Sequence, residues 1–273
     1  MLDFIAPAVL SMAPDGTDVR SEAHVSSKPA GLGWLPDGRL LILLGNEATV
    51  VRREHDGTFA VHARLGDDDA RYNEMVVDPV GRAYIGRFDL DAAGEVVVGP
   101  GALVCASPDG SVREVADELW FPNGAVITAQ GHLLVGESFA NRVTAFVLGS
   151  DGSLRDRWVW AKFGPMPTSR TFRDLMSEAN VVPDGCCLDA QGALWLADAA
   201  GRRVIRVLAG RIVEELRFDQ ATFACGLGGG DGRTLFVCLA PAWMRPEDRL
   251  AGRQARVVAT RVSVPAVSAA TAP

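Results

Sequence analysis

No run of about 18 apolar residues occurs in this chain, so no segment reads as a transmembrane helix. Met1 is not followed by a basic segment and an apolar core, so no secretory leader is expected. No CxxC pair is present, which removes the usual thiolate frame for zinc. The cysteines Cys105, Cys186, Cys187, Cys225 and Cys238 are odd in number and lie mostly in apolar runs. Buried free thiols of a reducing cytoplasm are therefore expected, without disulfides. Lysine is scarce, and the net charge is -7. That balance lacks the basic face that phosphates need, so neither nucleic acid nor membrane is expected as a partner. Long amphipathic helices are also missing, with "SRTFRDLMSEA" at 169–179 the best helical candidate. His24, His55, His62 and His132 fall in or beside hairpin turns or in outer strands, where Ser/His/Asp catalysis is not expected.

Turns and short apolar runs are abundant. The 273 residues include 29 Gly and 15 Pro, and 48% are hydrophobic, enough for a sizeable core. Five segments share one plan: "AGLGWLPDGRLLIL" (30–43), "NEMVVDPVGRAYIG" (73–86), "NGAVITAQGHLLVG" (123–136), "DGCCLDAQGALWLA" (184–197) and "ACGLGGGDGRTLFVC" (224–238). Each is an apolar run, a turn ending in glycine and a second apolar run, which reads as a hairpin. The turn glycines Gly38, Gly81, Gly131, Gly192 and Gly232 are 43, 50, 61 and 40 residues apart. The 169–179 insert accounts for the longest interval. Between the hairpins lie further alternating strands with Asp-Gly turns. Four strands per unit at that spacing indicate an all-β propeller rather than a sandwich. Trp158 and Trp160 alternate on one strand face and are expected to pack between blades. The "GGGDG" run at 228–232 lacks a following Lys-Ser/Thr and a helix, so it reads as a hairpin and not a phosphate loop.

Eight residues before each turn glycine stand Ala30, Asn73, Asn123, Asp184 and Ala224. In a propeller the first strand of each blade lines the central channel, so these positions form a ring. Asn73, Asn123 and Asp184 would bring oxygen donors together there, the ligand type that hard cations take. Singly, each could be a turn or strand cap; three in register favour a site. Six residues after the glycine, at the same mouth, come Leu44, Arg87, Glu137, Asp198 and Cys238. Glu137 and Asp198 are either supports or substrate contacts of the site, or solvated loop carboxylates.

The segments "NEMVVDPVGRAYIG", "FPNGAVIT", "GESFANRVTAF" and "PDGCCLDAQGALWLAD" resemble the senescence marker protein (regucalcin, SMP-30) / gluconolactonase / luciferin-regenerating enzyme family. The resemblance runs from about Asp3 to Pro265, and the PNG and PDG motifs are fairly specific. It implies a six-bladed β-propeller over 1–265, with 266–273 a disordered tail. It also implies a divalent cation on the axis, Ca²⁺ first and Zn²⁺, Mn²⁺ or Mg²⁺ as alternatives, and hydrolysis of a small sugar-like lactone. By position, Asn123 is similar to the family's metal-ligating Asn, and Asp184 to its metal-ligating, catalytic Asp. Asn73 matches an Asn that contacts substrate or a metal-bound water, and Arg71 is a further substrate contact. The usual NDM is here NEM, which sets Glu74 off pattern.

The family's other metal ligand, a Glu in a GEGP segment of the first blade, has no counterpart here. By that alignment the propeller is N-terminally incomplete: two strands of the first blade and the ring-closing strand would precede Met1. A late start, a fragment and a shortened member all fit. Two rival functions follow: a non-catalytic or degenerate Ca²⁺-binding propeller, and a phosphotriester hydrolase of the same fold.

Overall fold

The computed structural model describes residues 2–3, 7–66, 70–91, 96–169, 171–241 and 254–267. Among them, 22 strands form six antiparallel sheets. The first sheet holds β1 (Leu2–Asp3), β2 (Ala8–Ser11) and β3 (Arg20–His24). The second holds β4 (Pro29–Trp34), β5 (Leu40–Leu44), β6 (Thr49–Arg53) and β7 (Phe59–Arg64). The third holds β8 (Ala70–Val77), β9 (Ala83–Asp89), β10 (Gly101–Ala106) and β11 (Val112–Leu119). The fourth holds β12 (Pro122–Ile127), β13 (His132–Glu137), β14 (Arg142–Leu148) and β15 (Leu154–Lys162). A short helix, α1 (Phe172–Glu178), precedes the fifth sheet of β16 (Pro183–Leu188), β17 (Leu194–Asp198), β18 (Arg203–Leu208) and β19 (Arg211–Arg217). The sixth sheet holds β20 (Ala221–Gly228), β21 (Thr234–Ala240) and β22 (Arg256–Arg261). Strand order within every sheet follows chain order, so each sheet is a meander.

The five repeats are the first two strands of sheets two to six. Their turn glycines all have positive φ, from 69° at Gly232 to 90° at Gly81. Each donates its N–H back to the residue three earlier, as at Gly38 to Leu35 O, 2.9 Å. Only glycine adopts that backbone without steric cost, which is why the repeat shows first as a glycine ladder. The expected helix forms within 169–179. Thr171 caps it, its hydroxyl accepting from Asp174 N.

The chain divides into two compact units: Met1–Pro122 with Leu148–Arg155, and Asn123–Val147 with Asp156–Pro273. In the first unit Leu41, Leu43, Val50, Ile85 and Val104 form the main core, joined by Tyr72 and Met75 of β8. In the second, Leu134, Val143, Leu194, Leu196 and Ile205 form one cluster, with Trp158 and Trp160 packed against it. The two tryptophans of β15 thus cover residues of the fifth sheet, as their alternation predicts. Trp195, Val204, Leu235 and Val237 form another cluster between the fifth and sixth sheets. Alternation places one face of each strand against a neighbouring sheet, so burial comes from sheet-on-sheet contact. All five cysteines are free, with Cys105 and Cys225 buried. The segment expected to be disordered begins at a paired residue: Ala266 bridges Asp189, and its N–H reaches Gly232 O at 2.8 Å. Residues 268–273 lie outside the described residues.

Candidate functional site

The first strand of a repeat is irregular where the ring residue stands. Register shifts fall between Pro29 and Gly31 in β4 and between Asn73 and Met75 in β8. They recur between Pro183 and Cys186 in β16 and between Thr222 and Ala224 in β20. A bulge adds a residue on one strand and re-aims side chains, so each of these four strands turns aside at the same level.

In the second unit Asn123 and Asp184 stand on neighbouring first strands. Asn123 is buried, and its Nδ2 donates to Ser138 Oγ at 3.1 Å. Ser138 Oγ in turn donates to the carbonyl oxygen of Pro183 at 2.6 Å. One hydroxyl therefore ties Asn123 to the residue before Asp184. Because Nδ2 is the donor, the amide oxygen of Asn123 lies on the side away from Ser138. Asp184 is half-buried, and its Oδ1 accepts from Gly185 N at 3.0 Å. The two strands come unusually close at this level. A Cβ on Gly124 would lie 2.2 Å from Asp184 O, and one on Gly185 would lie 2.9 Å from Ala224 Cα. Only glycine permits those approaches.

Glu137 and Asp198 are both fully buried and fully engaged. Glu137 accepts from Arg142 Nε at 2.7 Å and Nη2 at 2.8 Å, and also from Thr144 Oγ1. Asp198 accepts from Arg203 Nε at 2.7 Å, Gly201 N at 3.1 Å and Val182 N at 2.9 Å. Asp198 thus fixes the backbone two residues before Asp184. Ser138 does the same work one residue beyond Glu137. Neither carboxylate is a solvated loop group.

In the first unit Arg71 and Asn73 lie on β8, both half-buried, on either side of buried Tyr72. The Tyr72 hydroxyl donates to Leu65 O at 3.0 Å, and Arg71 Nη1 to Ala70 O at 3.0 Å. Asn73 pairs with Gly86 of β9. Glu74 follows in the bulge with φ at 54°. Burial pushes its carboxyl up to about 7. Sequence reasoning passed over Glu74 and Ser138. The signal for Glu74 was its place: the equivalent residues in three other repeats are Gly31, Gly124 and Gly185.

Among the described residues no three His, Cys, Asp or Glu side chains cluster as metal ligands. Asn123 and Asp184 offer an amide and a carboxylate oxygen from adjacent strands, a donor pair that fits a hard divalent cation as part of a ligand set.

Solved structures of several relatives share this architecture. A luciferin-regenerating enzyme superposes with a TM-score of 0.76 at 17% identity, covering 97% of this chain and 88% of that one. A calcium-binding regucalcin of Agrobacterium tumefaciens gives 0.74 at 17% identity, covering 96% and 85%. The fold is an all-β, β-propeller fold. The chain belongs to the SMP-30/Gluconolactonase/LRE-like family, whose region matches residues 2–241. It is 30% identical to human regucalcin over 185 residues, 66% of this chain and 58% of that protein. It is 29% identical to Xenopus laevis regucalcin over 246 residues, 88% and 78% of the two chains. It is 28% identical to the pentonolactonase XacC of Haloferax volcanii over 218 residues, 77% and 67%. The match to human regucalcin therefore spans less than two thirds of that relative's length. No helix among the described residues is long and apolar enough to cross a membrane.

Proposed function

We propose that this protein is a metal-dependent lactone hydrolase acting on a small sugar-like lactone or related ester. One observation carries the reading. Asn123 and Asp184 hold the same repeat position on adjacent strands and are tied by the Ser138 hydroxyl, in a chain of the gluconolactonase family. The pentonolactonase among its relatives supports the substrate class. In this reading each of the six sheets is one blade, residues 1–265 are one propeller domain, and the free cysteines fit a cytoplasmic protein.

Asn123 and Asp184 would hold the cation, Ca²⁺ first, with Zn²⁺, Mn²⁺ or Mg²⁺ as substitutes. Bound there, a divalent cation supplies Lewis-acid polarisation of an acyl oxygen. Asp184 takes a proton from the attacking water as general base. Asn123 contributes an oxygen without adding charge, its amide turned by Ser138. Arg71 and Asn73 hydrogen-bond the hydroxyls or ring oxygen of the substrate and fix its orientation. Asp198 positions β16 through Val182 N, and its buried charge is neutralised by Arg203.

A second reading, a calcium-binding propeller without turnover, is favoured by the lack of a three-group acidic cluster among the described residues. The two separate in one experiment. Chain stripped with chelator is assayed against sugar lactones with each cation restored in turn. Cation-restored hydrolysis that Asp184→Ala removes is the expected result. Calorimetric Ca²⁺ binding with no hydrolysis of any lactone would reverse the order of the two readings.

A further inference from the structure

Glu74 concentrates several unfavourable features on one residue. It occupies the position that holds Gly31, Gly124 and Gly185 in other repeats. At Gly31 an added Cβ would lie 2.9 Å from Met75 N and 3.1 Å from the Glu74 carbonyl carbon, so β4 packs directly on this bulge. Among the described residues Glu74 is the one non-glycine residue of a repeat's first strand with positive φ, at 54°. That backbone is uncommon for a residue with a Cβ and costs energy wherever it persists. Its carboxyl also has no hydrogen bond or ion pair with any described residue. β4 and β5, which pack on β8, carry no titratable group, and β9 brings Tyr84, Arg87 and Asp89. Tyr84 donates its hydroxyl to Gly152 O, and Arg87 pairs with Glu114 at 3.6 Å. On β8 itself Arg71 is the nearest charge.

A strained backbone and an unpartnered, largely buried carboxyl would not be retained for stability, since glycine at this place avoids both. Such costs cluster where a side chain does chemistry. The neighbours of Glu74 along β8 are the proposed substrate contacts Arg71 and Asn73.

We propose that Glu74 is a catalytic residue of lactone opening, giving its carboxyl proton to the ring oxygen of the substrate. This rests on the lactone-hydrolase reading. Water adds its oxygen to the acyl carbon and loses a proton to the general base. The bond between acyl carbon and ring oxygen breaks, and its electron pair stays on the oxygen. That oxygen takes the Glu74 proton and becomes the hydroxyl of the hydroxy-acid product. The Glu74 carboxylate then regains a proton from solvent. Because burial holds the carboxyl protonated to about 7, the proton is available at neutral pH.

The test compares Glu74→Gln, Glu74→Asp and Glu74→Gly with the parent chain on sugar lactones, in kinetics and in thermal unfolding. Glu74→Gln is expected to lower kcat by about 100-fold or more with KM little changed. It should also abolish the fall in kcat above neutral pH, and Glu74→Asp should restore part of that limb. Glu74→Gly is expected to lose the same activity while its Tm rises. An active parent with an equally active Glu74→Gln overturns the role of Glu74 alone. A Glu74→Gly chain that melts earlier than the parent marks the residue as structural and also overturns it. A parent that opens no lactone with any cation removes the underlying reading, and the Glu74 step with it.

Discussion

Gly124 and Asp184 meet backbone to backbone: a Cβ on Gly124 would lie 2.2 Å from the Asp184 carbonyl oxygen. No side chain rearrangement relieves that overlap, because the obstructing atom is main chain. Gly124→Ala is therefore expected to push β12 and β16 apart and destabilise the protein by about 1–3 kcal/mol. It should also weaken cation binding at Asn123 and Asp184. Urea unfolding and calorimetry check the two effects, and a neutral Gly124→Ala would mean the strands can separate freely.

Ser138→Ala leaves Asn123 Nδ2 and Pro183 O without the hydroxyl that joins them. Unpaired buried groups of this kind cost about 1–3 kcal/mol. Cation affinity should drop as well, because the Asn123 amide is released to rotate. Ser138→Thr, which keeps the hydroxyl, is expected to recover much of both losses.

Asp198→Ala removes the partner of Arg203 and the acceptor of Val182 N. Breaking a buried pair typically costs about 3–5 kcal/mol. Arg203 also reaches Glu215 at 2.6 Å, which moderates the loss. The expected readout is a lowered Tm in the stripped protein, followed by weaker Ca²⁺ binding because β16 loses its anchor.

Stability should fall as pH rises through the Glu74 range. The folded carboxyl titrates at about 7 against an ordinary 4.5. Below 4.5 both states are protonated and nothing is lost. Between the two values the unfolded chain gives up the proton while the folded chain keeps it, so unfolding gains. Above about 7 the loss is constant, on the order of 3 kcal/mol. Glu74→Gln should flatten this slope in urea unfolding followed across that range; an unchanged slope assigns it to other groups.

Much of the fold was legible because it is repeated. The five glycines each need the same backbone, and the apolar runs beside them form the same hairpin, so the pattern announces sheets, turns and order together. The ring residues were legible for the same reason, since register alone aligns Asn73, Asn123 and Asp184. Glu137 and Asp198 were only half legible. Their partners Arg142 and Arg203 each stand five residues on, directly opposite across the turn into the next strand. That spacing is visible in "ESFANR" and "DAAGRR", but its meaning depends on knowing that the hairpin buries both ends. Glu74 was not legible. A glutamate in a strand is ordinary, and only the backbone reveals that it occupies a place suited to glycine.

The glycines beside the ring residues separate two design problems. Gly124 and Gly185 set how closely consecutive first strands approach, and they do so by having no side chain. The residue one step earlier, Asn123 or Asp184, has no part in setting that spacing. Its chemistry can therefore be exchanged while the backbone stays in place. One residue fixes the frame, its neighbour is free to vary, and a scaffold built this way can change reactions without being rebuilt.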